Sequence, residues 1–199
     1  MNNNLTTNRT FRIIGLIWMI LICILAITSC GDGPQKKDPK ESAEDRNDAK
    51  FAKNPAESDA QYLVDAYSIG LYEIEASQHA KQKAVRKDVK DLASQMIEAH
   101  SKMNESIKSH AVTKQVSLQK GLTEDQLKEI KDCSDKKGIE YDKAYLDKIV
   151  SDHKDVIKMA EEAAEKAGDP EIRNFFNTSL PALRHHVDMA IALKEKLNQ

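Results

Sequence analysis

Four ionisable residues stand at positions where the helical periodicity of the chain requires apolar ones: Glu73, His100, His153 and His186. Burying several titratable groups in one layer is costly unless they share a partner. Imidazole nitrogens and a carboxylate oxygen suit Zn²⁺, Cu²⁺, Ni²⁺ or Fe²⁺, whereas Ca²⁺ and Mg²⁺ prefer oxygen donors. The four residues therefore predict a site for one transition-metal ion (zinc, copper, iron or nickel). Its affinity is expected to fall as the histidines protonate near pH 6.

The competing interpretation is that each histidine is an ordinary core residue. Buried histidines usually hydrogen-bond to a backbone group or a hydroxyl, and the sequence offers hydroxyls at Tyr62, Tyr145 and Ser179. The protein would then be a metal-free interaction or stress-related scaffold whose exposed helical faces bind an unknown envelope protein. Under that hypothesis the metal-free protein is fully stable and insensitive to chelators.

Familiar catalytic motifs are missing from the sequence. Di-iron carboxylate bundles carry Glu-x-x-His pairs, and none occurs here. His-Glu-x-x-His, Gly-x-Ser-x-Gly, Cys-x-x-Cys and glycine-rich phosphate loops are also absent. Metal binding or storage is therefore favoured over catalysis, and an enzyme with an open metal position is a third hypothesis. The 30 Lys and Arg against 32 Asp and Glu lack the basic excess typical of nucleic-acid-binding proteins.

Apolar residues recur at three- and four-residue spacing from Ser58 onward, which predicts amphipathic helices and no strands. The first helix is expected to begin with a capping box of Ser58 and Gln61, and a break at 85–88 separates it from the second. A short extra helix with a capping box at Thr123 lies in the crossover between the second and third helices. Residues 168–170 separate the third helix from the fourth.

In an antiparallel bundle the four ionisable residues lie at similar heights. At 1.5 Å per residue, Glu73 and His100 are roughly 20 Å from the first turn. His153 and His186 are roughly 22 and 27 Å from the second turn, so all four can converge near the middle. The predicted fold is all-α, with an antiparallel four-helix bundle over residues 58–199.

Residues 1–29 are typical of a secretory signal peptide. Arg9 and Arg12 precede the apolar run 13–27, and no acidic residue occurs in this segment. A membrane-spanning helix needs about 20 apolar residues, which is more than this run supplies.

The end of that segment resembles a bacterial lipobox, because Leu25-Ala-Ile-Thr-Ser precedes Cys30. The resemblance implies that Cys30 becomes the lipid-carrying N-terminus of a lipoprotein, which binds the membrane through its acyl chains. It also implies a location in the bacterial cell envelope, facing the periplasm. Gly31 is not acidic, which favours the outer membrane.

Residues 30–57 are rich in Lys, Asp, Glu and Pro and have almost no apolar side chains, which predicts a disordered tether. Cys23 would leave with the signal peptide, so Cys133 has no intramolecular partner. An unreactive, partly exposed thiol is expected there. Whether Cys133 joins two copies in a homo-oligomer is left open.

The chain resembles a bacterial family, the domain of unknown function 4142, from Ser58 to Leu193. The similar segments are Gly70-Leu71-Tyr72-Glu73-Ile74-Glu75, Val89 to Met96 with His100, Tyr141-Asp142-Lys143-Ala144-Tyr145-Leu146 with His153, and Leu180-Pro181-Ala182-Leu183 with His186. The resemblance implies a ferritin-like helical bundle exported to the cell envelope. It implies no established reaction, and the metal hypothesis depends on the positions of the ionisable residues.

Overall fold

Six helices make up the part of the chain that the computed structural model describes, residues 37–197. They are α1 (Pro39–Phe51), α2 (Ala56–Lys83), α3 (Lys87–Lys114), α4 (Glu124–Ser134), α5 (Ile139–Lys166) and α6 (Pro170–Leu197). No strand occurs within this range, so the predicted all-α class is confirmed. The predicted signal peptide and Cys30 lie outside the described residues. None of the six helices is long and apolar enough to cross a membrane.

The four long helices form two pairs, α2 with α3 and α5 with α6, and each pair is joined by three residues. The break predicted at 85–88 is confirmed at 84–86. A buried aspartate near the start of one pair binds the turn of the other pair. Asp142 accepts hydrogen bonds from the backbone amides of Val85 and Arg86, and Asp59 accepts them from Gly168 and Asp169. These four bonds fix the two pairs against each other at both ends.

The side-chain caps predicted from the sequence occur at the starts of two helices and are absent from a third. Thr123 and Gln126 form the predicted capping box of α4. Asp169 accepts hydrogen bonds from the first-turn amides of α6, as expected for an N-cap. The predicted capping box at Ser58 is wrong, because α2 begins two residues earlier at Ala56. The Gln61 side chain instead donates to the carboxylates of Glu44 and Asp65.

The hydrophobic core consists of two clusters, one towards each pair of helix ends. The first contains Ala80, Met96, Ile149 and Ala190 among its members. The second contains Leu63, Ile107, Val156 and Leu183 among its members. On each long helix the predicted ionisable residue lies between the residues of these two clusters. The four residues therefore form a polar layer between two apolar ones.

Helix α1 is a correction to the predicted tether of residues 30–57, which is wrong for residues 39–51. Asp38 caps this helix, Ala43 is buried, and Asn47 exchanges two hydrogen bonds with the backbone of Ser117. One small apolar residue and a few polar contacts with residues far along the chain hold the segment, and composition does not reveal either. Residues 30–36 lie outside the described range.

Candidate metal centre

Three histidines from three helices meet in the polar layer. His100 on α3, His153 on α5 and His186 on α6 are each at most 4% exposed. Their ring centroids are 5.2 to 5.3 Å apart, and one nitrogen from each ring lies within 4.8 Å of the other two. His153 Nε2 is 3.1 Å from His186 Nδ1. The convergence predicted from helix heights is confirmed for the three histidines.

The spacing of these nitrogens suits a transition-metal ion. Nitrogen ligands at 2.0 to 2.1 Å in tetrahedral geometry lie about 3.3 Å from one another. The contact between His153 and His186 already has this spacing, at 3.1 Å. The third nitrogen needs only a small side-chain shift, since all three lie within 4.8 Å. Three neutral imidazoles would leave a fourth position for water or another ligand.

Glu73 lies beside the histidines, and it is not one of the three converging groups. Its side chain on α2 is fully buried, and Oε1 is 3.5 Å from His153 Nδ1. Nitrogen-bound metals commonly have a carboxylate behind a histidine ligand, where it accepts the proton of the second ring nitrogen and fixes the ring. The structure therefore places Glu73, which the sequence predicts as a ligand, where it can orient His153.

The polar layer contains buried atoms without hydrogen-bond partners among residues 37–197. They include both carboxyl oxygens of Glu73, Nε2 of His100 and Nδ1 of His153. A buried polar atom left unpaired costs about 1–3 kcal/mol. The layer therefore lacks partners that a bound cation would supply in part.

The hydroxyls that the competing interpretation offers as partners are engaged elsewhere or point elsewhere. Tyr145 pairs with Ser77, at 2.9 Å between the two hydroxyl oxygens. Ser179 donates to the carbonyl of Phe175 within its own helix. The Tyr62 ring packs edge-on against Phe176. None of these contacts reaches a histidine of the polar layer.

Burial shifts the pKa values in the direction that favours metal binding. It lowers the pKa of His153 to about 3 and that of His186 to about 4, and it lowers the pKa of His100 well below its usual value. Burial also raises the pKa of Glu73 well above that of an ordinary carboxyl. The imidazoles are therefore neutral at neutral pH. The loss of metal affinity that the sequence predicts near pH 6 is therefore expected at a lower pH, because the three histidines of the folded chain bind protons only there.

The remaining histidines and the cysteine are separate from this layer. His79 and His110 are half-buried, and His185 is exposed, so none of them is buried like the three histidines of the polar layer. Cys133 borders a cavity of about 290 Å³ between α2, α4 and α5, and burial raises the pKa of its thiol.

Sequence reasoning missed Asn104, one helical turn after His100. Its side chain is 3% exposed, and neither its amide nitrogen nor its oxygen has a hydrogen-bond partner in the described part of the chain. It packs directly against Gly70, where a Cβ would overlap it. The signal available in the sequence was a glycine in the interior of a helix, where glycine is unfavourable without a packing reason.

The family model for the domain of unknown function DUF4142 matches residues 44–193. The chain belongs to the DUF4142 family. The matched range includes all four ionisable residues of the polar layer, and it confirms the resemblance found in the sequence. No match was found among curated proteins.

The fold of this DUF4142 chain is similar to that of a solved structure, the crystal structure of a DUF305 fragment from Deinococcus radiodurans. The TM-score is 0.62 at 8% sequence identity, and the similarity covers 69% of this chain and 95% of the fragment. At this identity the similarity concerns the fold alone.

Proposed function

We propose that this DUF4142 protein binds one transition-metal ion through His100, His153 and His186, with Glu73 orienting His153. The observation that carries the proposal is the convergence of three buried imidazoles beside a buried carboxyl whose oxygens have no partner within residues 37–197. Nitrogen donors favour zinc, copper, nickel or iron. A bound cation would also allow Glu73 to ionise, because a nearby positive charge favours the charged form.

Binding or storage fits this site better than catalysis. The three rings are at most 4% exposed, so a substrate larger than an ion has no direct path to them. A fourth coordination position could still take a water molecule.

The four long helices are proposed to form an antiparallel, ferritin-like bundle. Two observations support this arrangement. Three-residue connections make the helices of each pair run in opposite directions, and the reciprocal bonds of Asp59 and Asp142 join the two pairs at both ends. The family resemblance has the same implication.

The chain is further proposed to be a lipoprotein anchored through Cys30 to an envelope membrane on its periplasmic side, with the outer membrane favoured. The lipobox-like residues before Cys30 and the residue Gly31 support this proposal. Mass spectrometry of the full chain expressed in a bacterium should find an acylated N-terminal peptide that begins at Cys30. A Cys30→Ser variant should lack it and leave the membrane fraction, and retention of that variant in the membrane would contradict the proposal.

Elemental analysis of chelator-free protein tests the metal proposal. We expect about one equivalent of a transition metal in the parent and none in a His153→Ala/His186→Ala variant. A His79→Ala/His185→Ala variant is the matched control and should retain the metal. Empty parent protein whose melting temperature does not respond to Zn²⁺, Cu²⁺ or Fe²⁺ would instead favour a metal-free scaffold.

A further inference from the structure

An acidic cleft opens on the surface between α1, α2, α4 and α5, with a volume of about 520 Å³. Its charged lining residues are four aspartates and one lysine: Asp38, Asp65, Asp125, Asp155 and Lys40. Lys40 Nζ lies 2.6 Å from Asp65 Oδ1, so one of the carboxylates is already paired. Four carboxylates against one ammonium leave the cleft with an excess of negative charge.

A second, much smaller cavity lies between this cleft and the metal centre. Its volume is about 20 Å³. It shares Ile69 and Met159 with the cleft, and Met103 and His100 line it on the inner side. His100 is 2% exposed, and its Nε2 has no hydrogen-bond partner in the part of the chain that the structure describes. Two side chains, Ile69 and Met159, thus separate the cleft from the small cavity, which borders the candidate site at His100.

A cation entering from the surface would meet the carboxylates of the cleft first, then the thioether sulfurs, and then the imidazole of His100. A cleft with one sign of charge raises the local concentration of ions of the opposite sign. A cavity of about 20 Å³ holds roughly one water-sized particle, so the ion would pass singly and with few waters. The thioether sulfurs of Met103 and Met159 are weak ligands that could replace a water molecule during passage.

We propose that metal ions reach the three histidines through this acidic cleft, past Met159 and the small cavity beside His100. This inference depends on the metal site proposed above. The cavity near Cys133 is not an equivalent path, because it shares no lining residue with the small cavity beside His100.

The rate of metal loading tests the proposed path. Asp38 caps α1 and Asp65 pairs with Lys40, so the substitutions are best made at the two exposed aspartates, in an Asp125→Asn/Asp155→Asn variant. Metal-free full-length chain in detergent is mixed with Zn²⁺ or Co²⁺ at low ionic strength, and uptake is followed by stopped flow. Removing two negative charges from the cleft should slow loading about tenfold.

A Glu105→Gln/Glu165→Gln variant is the matched control, because it removes the same charge from exposed positions outside the cleft. Its loading rate should stay within about twofold of the parent. The cleft variant should keep the parent's metal stoichiometry, with an affinity within about threefold. Equal slowing in both variants would mean a general charge effect and would overturn the proposed path.

A Met159→Leu variant tests the inner part of the path. Leucine preserves the volume, so the fold should tolerate it, whereas the sulfur is lost. Loading should slow about threefold or more, with one equivalent still bound at the end point. Parent rates in both the cleft variant and Met159→Leu would overturn the path and leave the metal site intact. Absence of metal uptake by the parent would instead refute the metal site and the path together.

Discussion

The buried acids of this protein fall into two groups with opposite surroundings. Asp59 and Asp142, at the ends of the long helices, each accept two backbone amide hydrogen bonds of 2.7 to 3.0 Å. Glu73, in the middle, is as deeply buried, yet neither of its oxygens has a hydrogen-bond partner within residues 37–197. The end carboxylates are complete without any ligand, and the central carboxyl is not.

This difference separates structural polar groups from functional ones. A buried acid retained for stability should have all its partners within the chain. A layer of buried polar groups that lack hydrogen-bond partners lowers stability, so a function is needed to explain why the layer is present. The end aspartates therefore belong to the architecture, and the polar layer belongs to the proposed metal site. Experiments that perturb the two groups in parallel can confirm or refute this distinction.

The largest expected effect is on the acid stability of the metal-free protein. Burial lowers the folded pKa of His153 to about 3 and that of His186 to about 4, against about 6.5 in the unfolded chain. Between these values the rings bind protons only when the chain unfolds. Their contribution is present above pH 6.5 and is lost as the pH falls towards 4. Glu73, whose folded pKa is raised, acts in the opposite direction above pH 4.5. Three histidines outweigh one carboxyl, so the free energy of unfolding should fall by about 4 kcal/mol from pH 6.5 to 4.5.

Urea unfolding at several pH values in the presence of a chelator measures this dependence. A His153→Leu/His186→Leu variant should lose most of it, because leucines have nothing to titrate. A parent whose stability is constant over this range would show that the histidines titrate normally in the folded state.

The next largest effect is expected from Asp142→Ala. Two backbone amides at the turn between α2 and α3 would lose a charged acceptor, which should lower the free energy of unfolding by about 2–4 kcal/mol. Metal stoichiometry should be unchanged. Asp147→Ala on the same helix is the control, since its surface pair with Lys194 is worth about 0–1 kcal/mol. Equal losses of stability in the two variants would remove the distinction drawn for the end aspartates.

Glu73→Gln should have the opposite effects to Asp142→Ala, because metal affinity should fall and stability should not. The variant removes a buried ionisable group, so the metal-free protein should be as stable as the parent or more stable. Loss of the carboxylate behind His153 should weaken metal affinity about 10–100-fold, measured by competition with a chromophoric chelator. Glu75→Gln, at a half-exposed neighbour, should change neither quantity. A large loss of stability in Glu73→Gln without loss of affinity would assign Glu73 to the architecture.

The smallest effect is expected from Tyr145→Phe. The variant removes a hydroxyl that pairs with Ser77 at 2.9 Å and leaves the Ser77 hydroxyl buried. The expected loss of stability is about 1 kcal/mol, a typical value for one neutral hydrogen bond. Metal affinity should be unaffected, because this pair is already satisfied. A change in metal affinity, followed in the same chelator competition, would extend the site towards Tyr145.

The sequence predicts the long helices well because they follow apolar periodicity. The capping box at Thr123 and the start at Asp169 and Pro170 depend only on neighbouring residues, so both were predicted. Helix α1 depends on long-range bonds between Asn47 and Ser117, and the bonds of Asp59 and Asp142 join residues far apart in the chain. Composition and periodicity carry no information about such contacts.

The sequence predicts which side chains form the candidate site better than it predicts how their atoms are arranged. Ionisable residues in apolar stripes gave the four side chains, and helix heights placed them in one layer. Which ring nitrogens converge, and that Glu73 lies behind His153, depends on rotamers and on how the helices pack. For Asn104 the one signal in the sequence is Gly70 in the interior of a helix, and which side chain packs against that glycine becomes evident only in the structure.

X-ray absorption of the zinc-loaded full chain tests the central claim most directly, because it reports the ligands of the bound ion. The proposed site predicts nitrogen or oxygen ligands at about 2.0–2.1 Å, with outer scattering from three imidazole rings. That outer scattering should diminish in a His100→Ala variant. A sulfur shell at about 2.3 Å, which would indicate Cys133, or a shell of oxygen atoms without imidazole scattering would contradict the claim that the polar layer is a metal site.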